Sequence, residues 1–190
     1  MFSRTKRLLL RPGWAEDTAP LHQLWSEEAI SRNLPDLPPM LTQAKTAEFL
    51  MRERDVLAPY FLLFSRTGGA PRLIGGCGIS IGCSERPELS FWIGRPFWGL
   101  GFATEAARAA TRIARASGLD RLTARPMIGN RAGINVLEKL GFRPTGQCEK
   151  RISAACGGTA TCVLYEDSGE APMRSDSAME LYRDGTPIAA

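Results

Sequence analysis

The sequence predicts an α+β domain in which helices pack on a mostly antiparallel sheet. Three observations carry that expectation. Leu89, Phe91 and Ile93 alternate with Ser90 and Trp92, the period-two pattern of a half-buried strand. Directly after it, Ala103, Ala106, Ala107, Ala110, Ile113 and Ala114 recur at spacings of three and four, one face of a helix that Gly118 closes. Upstream, two further apolar runs, 60–64 and 73–81, are separated from each other and from this strand by short turn segments at 67–71 and 82–87. Three antiparallel strands are therefore expected at the middle of the sheet.

The other elements follow in order. Leu8, Leu9 and Leu10, between Arg7 and Arg11 and stopped by Pro12, read as a first strand. A helical stretch begins at Trp14 and carries Leu21, Leu24 and Trp25 on one face. Three prolines within 33–39 exclude regular structure there and make a loop, either lining a substrate cleft or serving as a plain connector. Thr42 is placed to cap a helix over about 43–55, with Ala47, Leu50 and Met51 buried. Gly75, Gly76 and Gly78 weaken the 73–81 strand and mark a bulge or the close approach of a ligand. Beyond Gly118, 122–125 reads as a strand ended by Pro126. Ile134, Leu137 and Leu140 then share a helical face that ends at Gly141 in a left-handed cap. Two last strands, 143–152 and 159–165, meet at a Gly157-Gly158 turn. The domain spans 1–166, and the polar remainder, 167–190, is a tail that holds a late hairpin or is disordered.

At 190 residues, 44% apolar and 23% charged, the chain suits one soluble globular domain with its own core. Its longest apolar run, 56–64, contains Pro59 and is too short for a bilayer, and the N-terminus does not resemble a signal peptide. A cytoplasmic protein with no membrane partner is expected. Cys77, Cys83, Cys148, Cys156 and Cys162 form no C-x-x-C pair and accompany a single histidine, His22. That is poor material for zinc, so no metal is expected, and the cysteines read as buried thiols. Between Arg95 and Arg125, six arginines stand against Glu105 and Asp120, which accounts for the whole formal net charge of +4. Such a basic setting suits a polyanionic cofactor, while a solvated arginine face on a surface helix explains it equally. Interleaved aromatics and known motifs are missing for nucleic acid.

The turn joining the strand to the alanine-rich helix is Trp98-Gly99-Leu100-Gly101-Phe102-Ala103-Thr104. A glycine-rich turn into a helix N-terminus presents unpaired backbone N–H groups and the positive end of the helix dipole, which is an anion site. The same glycines also serve a bare tight turn. Phe102 and Ala103 stand where a Walker loop needs Lys and Ser/Thr, and Thr104 stands where a dinucleotide fingerprint needs its third glycine. Neither nucleotide motif fits.

Residues 98–106 resemble the acetyl-CoA-binding motif of the GNAT N-acetyltransferases, Gln/Arg-x-x-Gly-x-Gly/Ala, with Trp98 where Gln or Arg usually stands. Residues 130–142 resemble the same family's Asn-x-Ala-Ser…Val-Leu-Glu-Lys-Leu-Gly-Phe segment, and 7–12 is similar to the start of the RimJ/RimL-like branch that acetylates ribosomal-protein N-termini. The resemblance implies a sheet of about seven strands splayed between the fourth and fifth, with helices on both faces. It implies acetyl-CoA as cofactor, its pyrophosphate on the amides of Gly99, Leu100, Gly101, Phe102, Ala103 and Thr104 beside Trp98. The pantetheine would run along the main chain of Phe91, Trp92 and Ile93, with Asn130 touching it from the other side. Glu88, before the splayed strand, is the candidate base, directly or through a water; an exposed strand-end charge is the competing account. Glu105 is read as a first-turn partner of the helix dipole and His22 as an ordinary helical histidine.

The sequence departs from the family pattern at Gly133, where serine is usual, and at Leu137, where other branches hold tyrosine. Neither can protonate a departing thiolate. The expected activity is transfer of an acetyl group to a primary amine, a protein N-terminal α-amine or a small molecule, by direct attack in a ternary complex. A silent acyl-CoA-binding module and an antibiotic-modifying acetyltransferase are the alternatives. The protein is expected to be a monomer or homodimer.

Overall fold

In the computed structural model, residues 1–34, 37–38, 40–55, 57–81, 86–153, 158–169, 180–183 and 186–187 are described. The chain starts with β1 (Phe2–Arg4) and β2 (Leu8–Arg11), then a 3₁₀ turn (Ala15–Asp17) leading into α1 (Thr18–Trp25), α2 (Glu28–Ser31) and α3 (Gln43–Met51). Next come β3 (Tyr60–Ser65), β4 (Arg72–Ile81), β5 (Pro87–Ile93), α4 (Phe102–Ala116), β6 (Thr123–Ala124) and α5 (Arg131–Lys139). The last elements are β7 (Phe142–Ser153), β8 (Gly158–Asp167), β9 (Glu180–Arg183) and β10 (Thr186–Pro187).

One sheet holds all ten strands, in the order β10-β9-β1-β2-β3-β4-β5-β6-β8-β7. The seven strands expected from the sequence run consecutively from β2 to β7 in that order, and the mixed α/β fold is as expected. Of the other three strands, β1 was not legible, while β9 and β10 make the hairpin that the sequence left open for the tail. β1 is only three residues long, and β9 and β10 lie in the polar tail, where β9 pairs with β1 through Phe2 and Tyr182. The helix expected over 43–55 ends at Met51, capped as anticipated by Thr42, whose hydroxyl accepts the Lys45 N–H at 3.2 Å. Part of the 33–39 loop and the turns at 82–85 and 154–157 lie outside the described residues.

Two apolar clusters cover the two faces of the sheet. The larger joins Leu8, Leu10, Phe61, Leu63 and Ile93 to the buried side of α4, Ala106, Ala107, Ala110, Ile113 and Ala114, the residues whose spacing predicted that helix. Alanine on this face lets α4 lie close to the sheet. On the opposite face, Leu21, Trp25 and Leu50 from α1 and α3 pack on Leu62, Phe64 and Trp92. Arg11 ties the helical face to the sheet edge: both its terminal nitrogens bond the Asp17 carboxylate, at 2.7 and 2.8 Å, and its guanidinium lies 4.1 Å from the Phe64 ring centroid.

The glycines of β4 have a structural explanation. A Cβ on Gly76 would fall 2.2 Å from the Tyr60 hydroxyl, and one on Gly78 would fall 2.8 Å from the Tyr60 Cα and 2.9 Å from the Pro59 carbonyl. They make a bed for the Tyr60 ring, whose oxygen accepts the Trp92 indole N–H at 2.8 Å. Because the atoms around Gly78 include backbone, Gly78→Ala has no cheap relaxation. It is expected to lower stability by about 1–3 kcal/mol. Urea titration of both variants checks this, with Gly129→Ala, which has no atom within 4 Å of the added Cβ, expected to be neutral.

Candidate active site

β5 and β6 are parallel neighbours, yet they share a single rung, Glu88 opposite Thr123. Past it β6 stops at Ala124 and the chain turns at Pro126 towards β8, whose Val163 N–H bonds the Pro126 carbonyl at 3.0 Å. β5 continues alone to Ile93. On its other side it pairs with β4, and Gly94 N–H donates to the Ile74 carbonyl at 2.7 Å in the same register. Bonded and non-bonded positions alternate in an antiparallel pair, so 88, 90 and 92 exchange bonds with β4 while Leu89, Phe91 and Ile93 turn their peptide groups outward into the gap. This refines the expectation that Phe91, Trp92 and Ile93 all serve it. The Trp92 peptide is engaged with Gly76 on β4, and its side chain lies in the α1–α3 core.

One outward group is already taken: the Ile93 carbonyl accepts the Trp98 indole N–H at 2.6 Å. This bond folds the start of the glycine turn back on the end of β5. Trp98 and Leu100 are otherwise exposed, and Phe102 is buried beneath them. Gly99 and Gly101 have φ of +74° and +81°, the left-handed region that costs residues with a Cβ. Gly101 is also the N-cap of α4, and no side chain caps that helix. Its first intrahelical bond is Glu105 N–H to the Gly101 carbonyl, 3.1 Å, which leaves the amides of Phe102, Ala103 and Thr104 directed beyond the helix end.

Arg7 lies alongside the turn. It donates to the Leu100 carbonyl at 2.8 Å and to Glu105 Oε2 at 2.7 Å, and it stacks 4.4 Å over the Phe102 ring. Its other terminal nitrogen lies 3.5 Å from where a Gly101 Cβ would sit. Glu105 also accepts the Thr5 hydroxyl at 2.5 Å and the Arg7 N–H at 3.0 Å. Burial alone would raise the Glu105 carboxyl, but the bonds from Thr5 and Arg7 outweigh it and hold the group below its ordinary range. Glu105 is thus more than a dipole partner: it ties the N-terminal segment to the start of α4 beside the glycine turn. The arginine of that turn comes from residue 7. Two of the six arginines counted around the turn in the sequence lie in ion pairs elsewhere, Arg115 with Asp167 and Arg125 with Glu88.

Asn130 caps α5, its side-chain oxygen accepting the Gly133 N–H at 2.9 Å. That bond uses only the side-chain oxygen and leaves the amide nitrogen out of the cap. A Cβ on Gly133 would lie 2.9–3.2 Å from the Asn130 amide, so this cap geometry suits glycine. Leu137 is 1% exposed and part of the α4 core.

Glu88 sits where the gap begins. Its two oxygens take Arg125 Nη1 at 2.6 Å and Arg151 Nη1 at 3.0 Å, and Arg125 Nε reaches Glu149 at 3.0 Å. Four charges from β5, the end of β6 and β7 therefore span the split, with Arg125 and Glu88 only 11% and 16% exposed. Sequence reading missed Arg125 because nothing local distinguishes it from the surface arginines. Of the cysteines, Cys77 and Cys162 are buried while Cys148 is exposed, and Cys83 and Cys156 lie outside the described residues. Burial pushes the Cys77 thiol up, so it stays protonated and inert. His22 lies in α1 with Nδ1 3.3 Å from the Thr46 hydroxyl, away from the gap.

The acetyltransferase (GNAT) domain family matches residues 7–143. The uncharacterized N-acetyltransferase p20 of Bacillus licheniformis is 27% identical over 150 residues, which is 75% of this chain and 82% of that protein. RimL, a ribosomal-protein α-N-acetyltransferase solved with coenzyme A, superposes with a TM-score of 0.68 at 22% identity, covering 85% of this chain and 93% of its own. The spermidine N-acetyltransferase of Vibrio cholerae, solved with coenzyme A and spermine, gives 0.67 at 19%, covering 83% and 94%.

Two outcomes follow from the ion pairs. The depressed Glu105 carboxyl stabilises the fold above its unfolded value near 4.3 and loses that contribution as pH falls through the folded value. Glu105→Gln should therefore be less stable than the parent at neutral pH, with the difference closing below about pH 4.3, measured by urea midpoints along a pH series. Arg125→Met and Glu88→Gln should be non-additive: a double-mutant cycle is expected to give a coupling of at least about 0.5 kcal/mol, and additivity would show that the pair does not join the sheet halves.

Proposed function

Because this chain belongs to the GNAT acetyltransferase family, it is an N-acetyltransferase that uses acetyl-CoA, and we propose that its acceptor is a protein N-terminal α-amine or a small primary amine. The observation that carries the proposal is the uncapped N-terminus of α4, behind two left-handed glycines, beside the unpaired edge of β5. The residues present fit the cofactor: the turn offers amides with no Cβ in the way, and nothing lies within 4 Å of the position a Gly99 Cβ would take.

Bound acetyl-CoA supplies an activated thioester, from which the acetyl carbon passes to the amine nitrogen as the carbon–sulfur bond breaks. The amides of Phe102, Ala103 and Thr104, aided by Arg7, hold the pyrophosphate. The outward peptide groups of Phe91, the Ile93 N–H and the Asn130 amide nitrogen would orient the pantetheine. An α-amine of pKa about 8 is roughly 10% neutral at pH 7, against below about 0.1% for lysine, so an N-terminal acceptor needs little deprotonation. Glu88 takes up the departing proton through a water, since both its oxygens already accept from guanidinium groups and each keeps one lone pair free. Neither Gly133 nor Leu137 could protonate the departing thiolate, which would leave without help from either. A cytoplasmic site of action and a monomeric or homodimeric state complete the reading. Among the described residues, no helix is long and apolar enough to cross a membrane.

The test is release of free CoA, followed with a thiol reagent, across N-terminal peptides, N-blocked lysine peptides, polyamines and aminoglycosides, with acetyl-CoA affinity measured by calorimetry. Turnover on N-terminal peptides is expected. Gly101→Val, strained at +81° and crowded by Arg7, should weaken acetyl-CoA binding at least about tenfold with the circular dichroism spectrum retained. Tight binding without turnover on any amine would favour a silent acyl-CoA-binding module, the reading that the missing donors at Gly133 and Leu137 support; absence of binding would overturn both.

A further inference from the structure

We infer that the acceptor of this enzyme carries a carboxylate about three residues from the reacting amine, and that a second cavity, away from the β5–β6 gap, receives it. This rests on the acyl-transfer reading above. The cavity, about 440 Å³, opens at the end of the sheet where β2 ends and β3 begins, and Met1, Phe49, Arg52, Arg54, Asp55 and Tyr60 contribute to its wall.

Arg54 is its central feature. The guanidinium lies 4.5 Å over the Phe49 ring and 4.8 Å over the Tyr60 ring, and Nη2 is fixed by the Phe49 carbonyl at 3.1 Å. Stacking on two aromatic rings holds the planar group in one orientation. Partial burial, with the Arg52 charge nearby, works against its positive form, and among the described residues no carboxylate pairs with it. Asp55, the acid in the wall, turns one oxygen to the Leu57 N–H at 2.9 Å. Arg52 and Arg54 thus line the cavity with a single acid, Asp55, one of whose oxygens is engaged in its own turn. A stacked, partly desolvated guanidinium is best complemented by a planar carboxylate that takes two parallel N–H bonds.

Position links the cavity to the acceptor. Tyr60, Gly78 and Ser90 lie on one rung across β3, β4 and β5. Two strand spacings, roughly 10 Å, therefore separate Tyr60 from the strand that borders the gap. Ser90 is exposed, and its side chain shares a sheet face with Glu88 and Trp92, the face over which the Tyr60 ring lies. An extended peptide advances about 3.3 Å per residue, so an α-amine at the edge of β5 brings the side chain of its third residue to Arg54. A polyamine would instead meet two like charges.

The experiment compares initial rates of CoA release for matched peptides with a free N-terminus and Asp, Asn or Lys as third residue. The Asp peptide should exceed the Asn peptide in kcat/KM by about 10- to 100-fold, mostly through KM, with Lys lowest. Arg54→Met should bring the Asp and Asn peptides together, Arg54→Lys should keep part of the preference, and Arg112→Met on the far helix should keep all of it. Equal rates for Asp and Lys peptides, or a preference that survives Arg54→Met, would overturn the inference. If no peptide turns over, the acyl-transfer proposal fails by itself, and titrating the Asp peptide into parent and Arg54→Met protein decides the cavity separately: tighter binding to the parent supports it, and equal affinity overturns it.

Discussion

The architecture depends on a sheet that stays continuous while it splits. A parallel pair with one rung, Glu88 opposite Thr123, cannot hold two half-sheets together by backbone bonds alone. The side chains at that rung make up the difference. Glu88 and Arg125 form a mostly buried ion pair at the apex of the gap, and Arg151 and Glu149 extend it onto β7. Charges taken out of water are costly unless mutually paired and hydrogen-bonded, and here each carboxylate or guanidinium at the apex meets its opposite within 3.0 Å. The split can then widen away from the apex without unzipping towards it.

What the widening exposes is set by strand register. Alternation along β5 means that every second peptide faces the gap, and the turn that follows is bent back onto the strand by the Trp98–Ile93 bond. The two left-handed glycines and the uncapped start of α4 therefore lie in line with the outward edge of β5. Arg7 and Glu105 fix this turn from the other side of the chain, with Arg7 touching Leu100, Phe102 and Glu105 at once. A residue far away in sequence thereby places a guanidinium, paired with Glu105, beside the glycine turn.

The difference between local and distant contacts explains what the sequence revealed. Periodicity and turn chemistry located β2 to β8 and α4 and α5, because each carries its apolar face in its own spacing. The turn at Gly99 and Gly101 was equally visible, since a positive φ leaves a glycine behind, and Gly118 and Gly141 end their helices in the same way at +86° and +90°. β1, at three residues, has too little pattern to read, and β9 exists as an edge partner of β1. The glycines of β4 signalled a bulge or a close approach, and both occur: the pairing with β3 shifts register next to Gly75, while Gly76 and Gly78 accommodate Tyr60, which sequence spacing cannot disclose. The roles of Arg7, Arg125 and Arg54 depend on residues from 5 to about 100 positions away or on ring stacking, so in the sequence they are indistinguishable from solvated arginines.

The absence of a donor at residues 133 and 137 can be placed in the same geometry. Asn130 caps α5 by bonding the Gly133 N–H, and its amide lies within 3.2 Å of the space a side chain at 133 would occupy. A serine there would compete with the cap for room, whereas glycine lets the asparagine keep both its helix bond and a free amide nitrogen. Leu137, one turn further, is spent on packing α5 against α4 and closes the core beneath the gap. At these two positions the chain spends its residues on a helix cap and on packing rather than on an acid. A thiol of pKa about 8.5 leaves tolerably as the thiolate, and an α-amine is already partly neutral at pH 7. For that pairing of leaving group and nucleophile, holding the reactants in line contributes more than a proton donor would, because general acid catalysis is worth about 10²–10⁴ while orientation reaches effective molarities of about 10⁵ M and above.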